Sequence, residues 1–387
     1  MGSRDIIAAG GRTGGSMTGG PPAGQGPHPS ATSCAEYILP LRWTRDSGLA
    51  ELSDYLRRLV EWMPVTVVDG SDASLFERHR AAFPAAVRHL RPDPDVSPDR
   101  TSPDHLGGGG AGGGANNGKV AGVMTGVRSS SAEFLVIADD DVRYTREALA
   151  AVVHHLASAD VVRPQNYFDP RPWHAQWDTA RTLLNRAWST DYPGTLGVRR
   201  STLLATDGYA GVLFENLELI RTVKAAGGRE RTLPGLFVAR RPPTARHFLR
   251  QRVRQAYDDF AQPRRLAAEL ALLPAVTGAA FLPARARRTA LLGLAGAAVT
   301  CAEIGRRRHN GTAVFPASAA WFAPLWALER AVCVWLAAAF RMAGGIPYAG
   351  SRIRTAAHSE AELRQRHGGK LNRAPHTKET TMKAVQA

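Results

Sequence analysis

Cysteine is scarce. Cys34, Cys301 and Cys333 are the only three in 387 residues, which excludes a disulfide framework and a Cys-type zinc site. Acidic residues are outnumbered, 34 Asp and Glu against 49 Lys and Arg, giving a formal charge of +15. That imbalance points to an anionic partner: nucleic acid, membrane lipid or a phosphorylated substrate. Arg supplies most of the excess, and Arg grips phosphate through two parallel hydrogen bonds. Charged residues make up only 21%, which excludes a disordered or coiled-coil composition. Met1 to Ala9 has no apolar run, so no secretory signal is expected. No internal repeat is visible. The 44% hydrophobic content suits one large or two medium domains with a real core.

Four regions follow from the changes in composition. Residues 1–33 are rich in Gly, Pro, Ser and Thr and read as a disordered leader. Residues 34–263 alternate between strand and helix patterns. Tyr37 to Leu41, Val65 to Val68, Phe134 to Ala138 and Asp160 to Arg163 predict strands, the last stopped by Pro164. Leu49 to Trp62 and Phe76 to Val87 predict helices, and Thr145 reads as the N-cap of another, with Glu147 in its first turn. Gly107 to Gly114 reads as a flexible loop. The alternation predicts an α/β domain on a mostly parallel, Rossmann-like sheet, whose ligands sit beyond the carboxyl ends of the strands. Residues 264–345 hold three apolar segments, Leu266 to Leu282, Thr289 to Gly305 and Ala319 to Phe340, separated by Arg clusters. Residues 346–387 read as a basic, loosely ordered tail.

Five clusters carry the chemistry. Asp139-Asp140-Asp141 ends the clearest strand. Adjacent carboxylates repel one another and are well suited to a hard divalent cation, Mg²⁺ or Mn²⁺, which would also grip a diphosphate. A solvated acidic turn is the alternative. Asp69, Ser71 and Asp72 follow another strand, where they suit a nucleoside base or ribose; an ordinary Asp-Gly turn has the same pattern. Asn116-Asn117-Gly118-Lys119 resembles a phosphate loop incompletely, because Val120 stands where a Ser or Thr is needed. Lys119 is the better candidate there, as a phosphate or base contact. Glu215 and Glu218 offer a general base, or simply an acidic helix start. Gln251, Arg252 and Arg254 suit a diphosphate, or a basic helix beside a membrane.

In this order the clusters resemble the family 2 glycosyltransferases of GT-A fold. The resemblance covers about Cys34 to Pro263. Asp69 with Ser71 and Asp72, then Asp139 to Asp141, Glu215-Asn216, and Gln251 to Arg254 stand for the family's first aspartate, DxD, ED and QxxRW motifs. The resemblance implies inverting sugar transfer from a nucleotide-sugar. Asp139 and Asp141 would hold the metal. Asp69, Ser71, Asp72, Lys119, Asp139, Asp140, Gln251, Arg252 and Arg254 would bind the donor. Two departures stand out: Asn216 replaces the ED aspartate that usually acts as base, leaving Glu215 or Glu218, and Gln255 replaces the tryptophan. Residues 160–205 should build the acceptor side, with Asp191, Trp173 and Trp177 as contacts, although Trp more often serves packing alone.

The apolar C-terminal region is similar to that of membrane-attached members such as ceramide glucosyltransferases and hopanoid-associated enzymes. This implies a lipid or lipid-linked acceptor and a catalytic domain on the cytoplasmic side of the cell membrane. The third segment exceeds the ~20 residues a span needs, but Glu329-Arg330 interrupts it, and a central Arg costs roughly 2.5–3.5 kcal/mol on insertion. Spanning helices, an interfacial platform and a soluble helical domain stay open. A catalytically inactive, nucleotide-sugar-binding scaffold is the rival reading, supported by Asn216. No nucleic-acid reader motif is present, so nucleic acid is not expected as a partner.

Overall fold

The computed structural model describes residues 34–46, 48–96, 118–348 and 351–371, with the backbone alone for Ser351. The expected leader, the Gly107 to Gly114 loop, Asn116, Asn117 and the tail beyond residue 371 lie outside the described residues. The elements are β1 Ala35–Leu41, α1 Leu49–Leu59, β2 Val65–Asp69, α2 Ala73–Ala82, β3 Val87–Leu90, α3 Gly118–Ser129, β4 Phe134–Ala138, β5 Val142–Arg143, α4 Arg146–Leu156, β6 Val161–Phe168, α5 Trp173–Trp188, β7 Thr195–Arg199, α6 Arg200–Ala205, α7 Glu215–Ala225 and β8 Glu230–Arg240. After them come α8 Ala245–Arg250, α9 Arg252–Tyr257, α10 Pro263–Ala280, α11 Ala284–Arg307, α12 Ala317–Ala320, α13 Ala323–Met342, β9 Ile346–Tyr348, β10 Ser351–Ile353 and α14 Glu360–His367.

Eight strands form one sheet in the order β3-β2-β1-β4-β7-β6-β8-β5. β1, β2, β3 and β4 run parallel, as does β8 beside β6. β7 runs antiparallel to β4 and β6, and β5 to β8. The core is therefore α/β and Rossmann-like, with a mixed sheet rather than a mostly parallel one. The antiparallel strand has a consequence for the site. β7 starts where β4 ends, with Thr195 opposite Ala138, so the loop before β7 lies against the Asp triplet.

Burial explains the parallel half. β2 is buried at every position and β4 at four of five, as strands covered on both faces must be. One face packs on Leu52, Tyr55 and Leu56 of α1 and Leu149, Val152 and Leu156 of α4. The other packs on Val120, Val123 and Val127 of α3 and Leu219, Ile220 and Val223 of α7. Thr145 caps α4, accepting from the Ala148 N–H, as the sequence predicts.

Three elements differ from the sequence reading. The helix expected over Phe76 to Val87 covers Ala73–Ala82, and β3 follows it. Asp72 starts the helix earlier by capping it, and Phe83-Pro84 stops it. β6 does not stop at Pro164. A register shift between Arg163 and Gln165 takes the proline into the strand, where a bulge tolerates its missing N–H. The segment from residue 346 is not a loose tail as far as residue 371: β9 and β10 pair antiparallel, and Ser359 and Glu362 form a capping box on α14.

The three apolar segments are helices that dock on the α/β core. α11 meets α5 at Gly305, where a Cβ would lie 1.8 Å from the Leu183 carbonyl oxygen; only a glycine lets the two backbones approach so closely. Among the described residues, Ala317–Met342 is long and apolar enough to cross a membrane, by length and composition. Arg330 on it is fully buried against the core.

Candidate active site

β1, β2 and β4 end at one sheet edge, with Leu41 beside Asp69 and Ile38 beside Ile137. Asp69 and the Asp triplet therefore share the edge where ligands of such sheets bind.

The Asp139 to Asp141 group faces two cations. Lys119 Nζ, from the first turn of α3, lies 2.5 Å from Asp139 Oδ1 and donates to Glu215 Oε1 at 2.6 Å. Arg240, at the end of β8, donates from Nε to Asp141 Oδ2 at 2.7 Å and places Nη2 3.5 Å from Asp139 Oδ2. Asp140 accepts from the Trp43 indole N–H instead. Burial would lower the Lys119 ammonium, but Asp139 and Glu215 outweigh it and hold it well above the ordinary lysine range. Burial pushes Asp141 up to about 6; Arg240 opposes this, and Asp139 and Asp140 add to it.

The chain before β7 closes on this group. The Asp139 N–H donates to the Gly194 carbonyl at 2.9 Å. A Cβ on Gly194 would lie 2.6 Å from Asp139 Oδ2, so the loop needs a glycine there. Asn216 donates from Nδ2 to the Pro193 carbonyl at 3.0 Å. Beneath Pro193 and Gly194 lies a cavity of about 160 Å³, lined among others by Asp139, Glu215, Arg240, Gln251, Arg254 and Asp258.

Among the described residues no group of three or more His, Cys, Asp or Glu side chains converges as a metal cluster. A hard cation bound beside a diphosphate does not need three, since it takes phosphate and water oxygens as well. Asp141 Oδ1 is buried without a hydrogen-bond partner. One orphaned carboxylate oxygen next to Asp139 fits such an ion.

The remaining candidates divide. Asp69 is fully buried and accepts from the Ser71 N–H at 2.8 Å, and it pairs with His79 Nδ1 at 2.6 Å and His89 Nε2 at 3.2 Å. Burial opposes ionisation, yet the His89, Ser71 and His79 hydrogen bonds hold its carboxyl well below the usual range. Ser71 Oγ accepts from the Trp43 N–H. Asp72 caps α2 through the Leu75 N–H at 2.9 Å, so its carboxylate is engaged in the turn. Gln251 and Arg254 line the cavity, whereas Arg252 is turned away. Arg252 is buried and pairs with Asp178 at 3.0 Å and Glu329 at 2.8 Å, a brace between α5, α9 and α13.

Glu218 also points away. It is fully buried and accepts from the His358 N–H at 2.8 Å and pairs with His358 Nδ1 at 2.7 Å, which pins the C-terminal segment onto α7. Glu218→Gln should cost about 1–3 kcal/mol, the usual result of unsettling a buried hydrogen-bonded group. Urea unfolding measures it, and an unchanged midpoint would contradict this role.

Asp191 is buried and accepts from Thr182 Oγ1 and Asn185 Nδ2 at 2.7 Å each, and from Arg181. It braces the loop whose next residue, Tyr192, lines the cavity. Trp173 and Trp177 cluster with Phe248, with ring centroids 5.6–6.3 Å apart, outside the cavity lining.

Sequence reasoning missed Arg240, Trp43, His79 and His89. Arg240 carried a signal, an Arg-Arg-Pro-Pro stop at a strand end, but only the pairing of β8 with β5 brings it to the triplet. His89 sits on β3, the strand the sequence did not show.

No protein-family model matches the sequence, and no curated protein matches it. Solved structures do align at low identity. A mannosyltransferase from Pyrobaculum calidifontis, in complex with GDP-Man and Mn²⁺, is 18% identical over 80% of this chain and 89% of its own, with a TM-score of 0.42. Glucosyl-3-phosphoglycerate synthase from Mycobacterium tuberculosis, with Mn²⁺, UDP and glucosyl-3-phosphoglycerate, is 14% identical over 57% of this chain and 77% of its own, with a TM-score of 0.38. A putative nucleotide-diphospho-sugar transferase from Desulfovibrio desulfuricans G20 is 10% identical over 60% and 87%, with a TM-score of 0.32.

Proposed function

We propose that the protein is an inverting glycosyltransferase that moves a sugar from a nucleotide-sugar to a lipid, a lipid-linked or another membrane-proximal acceptor. The observation that carries this reading is the cluster of Asp139, Asp141, Lys119 and Arg240, of which Asp139 and Arg240 line a strand-edge cavity together with Gln251 and Arg254. Acidic groups suited to a cation, beside fixed cations suited to phosphate, are what a nucleoside diphosphate leaving group needs. Asp139 and Asp141 would hold Mg²⁺ or Mn²⁺, which supplies neutralisation of the departing diphosphate. Lys119 and Arg240 would add positive charge at the same edge, and Asp69 and Ser71 would border the nucleoside. Incubation with UDP- and GDP-sugars and vesicles of a polar-lipid extract tests this. Labelled lipid and free nucleoside diphosphate are expected; neither would form if the reading is wrong. A nucleotide-sugar-binding scaffold is the second reading, favoured by Asn216 at the place of the family's base.

Attachment to the cytoplasmic face of the cell membrane belongs to the same proposal. Phe281, Leu292, Trp321, Leu328, Val332 and Met342 are more than half exposed along the α10 to α13 segment, apolar side chains suited to the headgroup and acyl boundary of a bilayer. The same helices carry Arg285, Arg287 and Arg288, suited to anionic headgroups. Arg330 and Glu329 meanwhile bind the core. That arrangement suits an interfacial platform better than a simple span. Full-length protein should sediment with membranes and be partly released by high salt, which screens exposed charges. Protein that stays in the soluble fraction without detergent would contradict attachment.

A further inference from the structure

The cavity holds a carboxylate that the reading above leaves without a role. Asp258 follows α9 and lines the cavity with Glu215, Asn216 and Arg254. Its Oδ1 is shut off from solvent and has no hydrogen-bond partner. The other described acids of the lining are committed. Asp139 and Glu215 share Lys119. Asp259 takes Arg330 at 3.0 Å on one oxygen and Arg265 at 3.0 Å on the other. Asn216 is an amide and accepts no proton, and its Nδ2 is spent on Pro193.

We propose that Asp258 is the general base of the transfer, an inference that rests on the glycosyltransferase reading. The acceptor O–H breaks and its proton passes to the Asp258 carboxylate. The freed oxygen pair forms the bond to the anomeric carbon. The bond from that carbon to the diphosphate oxygen breaks, and its electron pair leaves with the nucleoside diphosphate.

The charge environment suits the task. Burial pushes the Asp258 carboxyl up to about 7. Arg254 pulls it down, Asp259 and Glu215 push it further up, and Arg330 pulls it down. A base that titrates near the working pH is both available and strong enough. Glu215, by contrast, would have to surrender its Lys119 ion pair to take a proton.

The test starts with the nucleotide-sugars UDP-glucose, UDP-galactose, UDP-N-acetylglucosamine and GDP-mannose, scored by the shift in melting temperature. For any that binds, nucleoside diphosphate release is followed in polar-lipid vesicles. Asp258→Asn should lower release by about 10²–10⁴-fold while the melting shift persists. Wild-type release should fall on the acid side of about pH 7, and Glu215→Gln should retain an acid limb, moved to lower pH because the Glu215 charge that pushes Asp258 up is gone. Folding has its own control. The folded carboxyl is raised above its unfolded value near 4, so its ionisation costs stability as pH climbs from there through about 7. Asp258→Asn should therefore melt no lower than wild type at pH 8. If it does not fold, Asp258→Glu serves, and an acid limb unmoved in that variant overturns the proposal. So does Asp258→Asn turning over at the wild-type rate. Binding without turnover by the wild type overturns the base and favours the scaffold. No melting shift with any nucleotide-sugar instead removes the transferase reading on which the base depends.

Discussion

Asp141→Asn is expected to abolish the Mn²⁺-dependent stabilisation of the protein by a nucleotide-sugar. The wild type, at ligand one hundred times its dissociation constant, should gain about 2.7 kcal/mol by mass action; the variant should gain nothing measurable. The cause is local. Asp141 Oδ1 is a buried oxygen without a partner, and the amide that replaces it offers at best a neutral carbonyl to a hard cation. Arg240 Nε would keep an acceptor if the amide oxygen turns towards it, so the fold should persist. The apo melting temperature should rise slightly or hold above pH 6, because burial and the neighbouring Asp139 and Asp140 work against an ionised Asp141. That cost grows as pH rises through about 6 and is absent where the wild-type carboxyl is protonated. Retained Mn²⁺-dependent stabilisation in Asp141→Asn would show that the triplet is an acidic turn and not a metal site.

Arg330→Met is expected to produce the largest loss of stability, about 3–5 kcal/mol, the usual effect of removing one partner from a buried ion pair. Arg330 is fully buried on α13 and donates from Nη1 to Asp259 Oδ2 at 3.0 Å. Its guanidinium also lies 5.0 Å from the Trp326 ring and 3.8 Å from Glu269. Without it, Asp259 and Glu269 face each other with Arg265 alone. Urea unfolding in detergent should show the lower midpoint. A loss below about 1 kcal/mol, the range of an exposed pair, would mean that α13 is not fastened to the core through this network.

That network also shows what the sequence could and could not tell. The segment Ala319 to Phe340 is long enough for a membrane span, with Glu329-Arg330 as an anomaly that left spanning, interfacial and soluble arrangements open. The anomaly resolves once α9, the short turn that follows it and α10 supply Arg252, Asp259 and Glu269, partners far away in the chain. Strands with buried faces were legible because β-branched runs end at turn residues: β2 stops at Asp69-Gly70 and β4 at the triplet. β3 was not, because Val-Arg-His-Leu carries half polar residues, and a strand of four at a sheet edge has no period to read. β6 was cut short for a sound local reason, Pro164, that a bulge overrides.

The site was legible as motifs and not as geometry. Asp69, Asp139 and Asp141 reach one edge because parallel strands end together. Glu215 and Glu218 could not be told apart, since both sit in the first turn of α7. Three residues of helix turn one toward Lys119 and the other into the core against His358. Asp258 and Asp259 pose the same problem in adjacent positions, one lining the cavity without a partner and the other locked by two arginines. Adjacent carboxylates after the Gln251 to Arg254 motif were a signal worth weighing, because like charges seldom sit together without a task or a partner.

Titration calorimetry of the full-length protein in detergent with UDP- and GDP-sugars, in Mn²⁺ and in chelator, tests the central claim most directly. One site per chain, saturable by a nucleotide-sugar, competed by the matching nucleoside diphosphate and weakened by chelation, is the predicted result. No heat of binding from any nucleotide-sugar in either condition would contradict it.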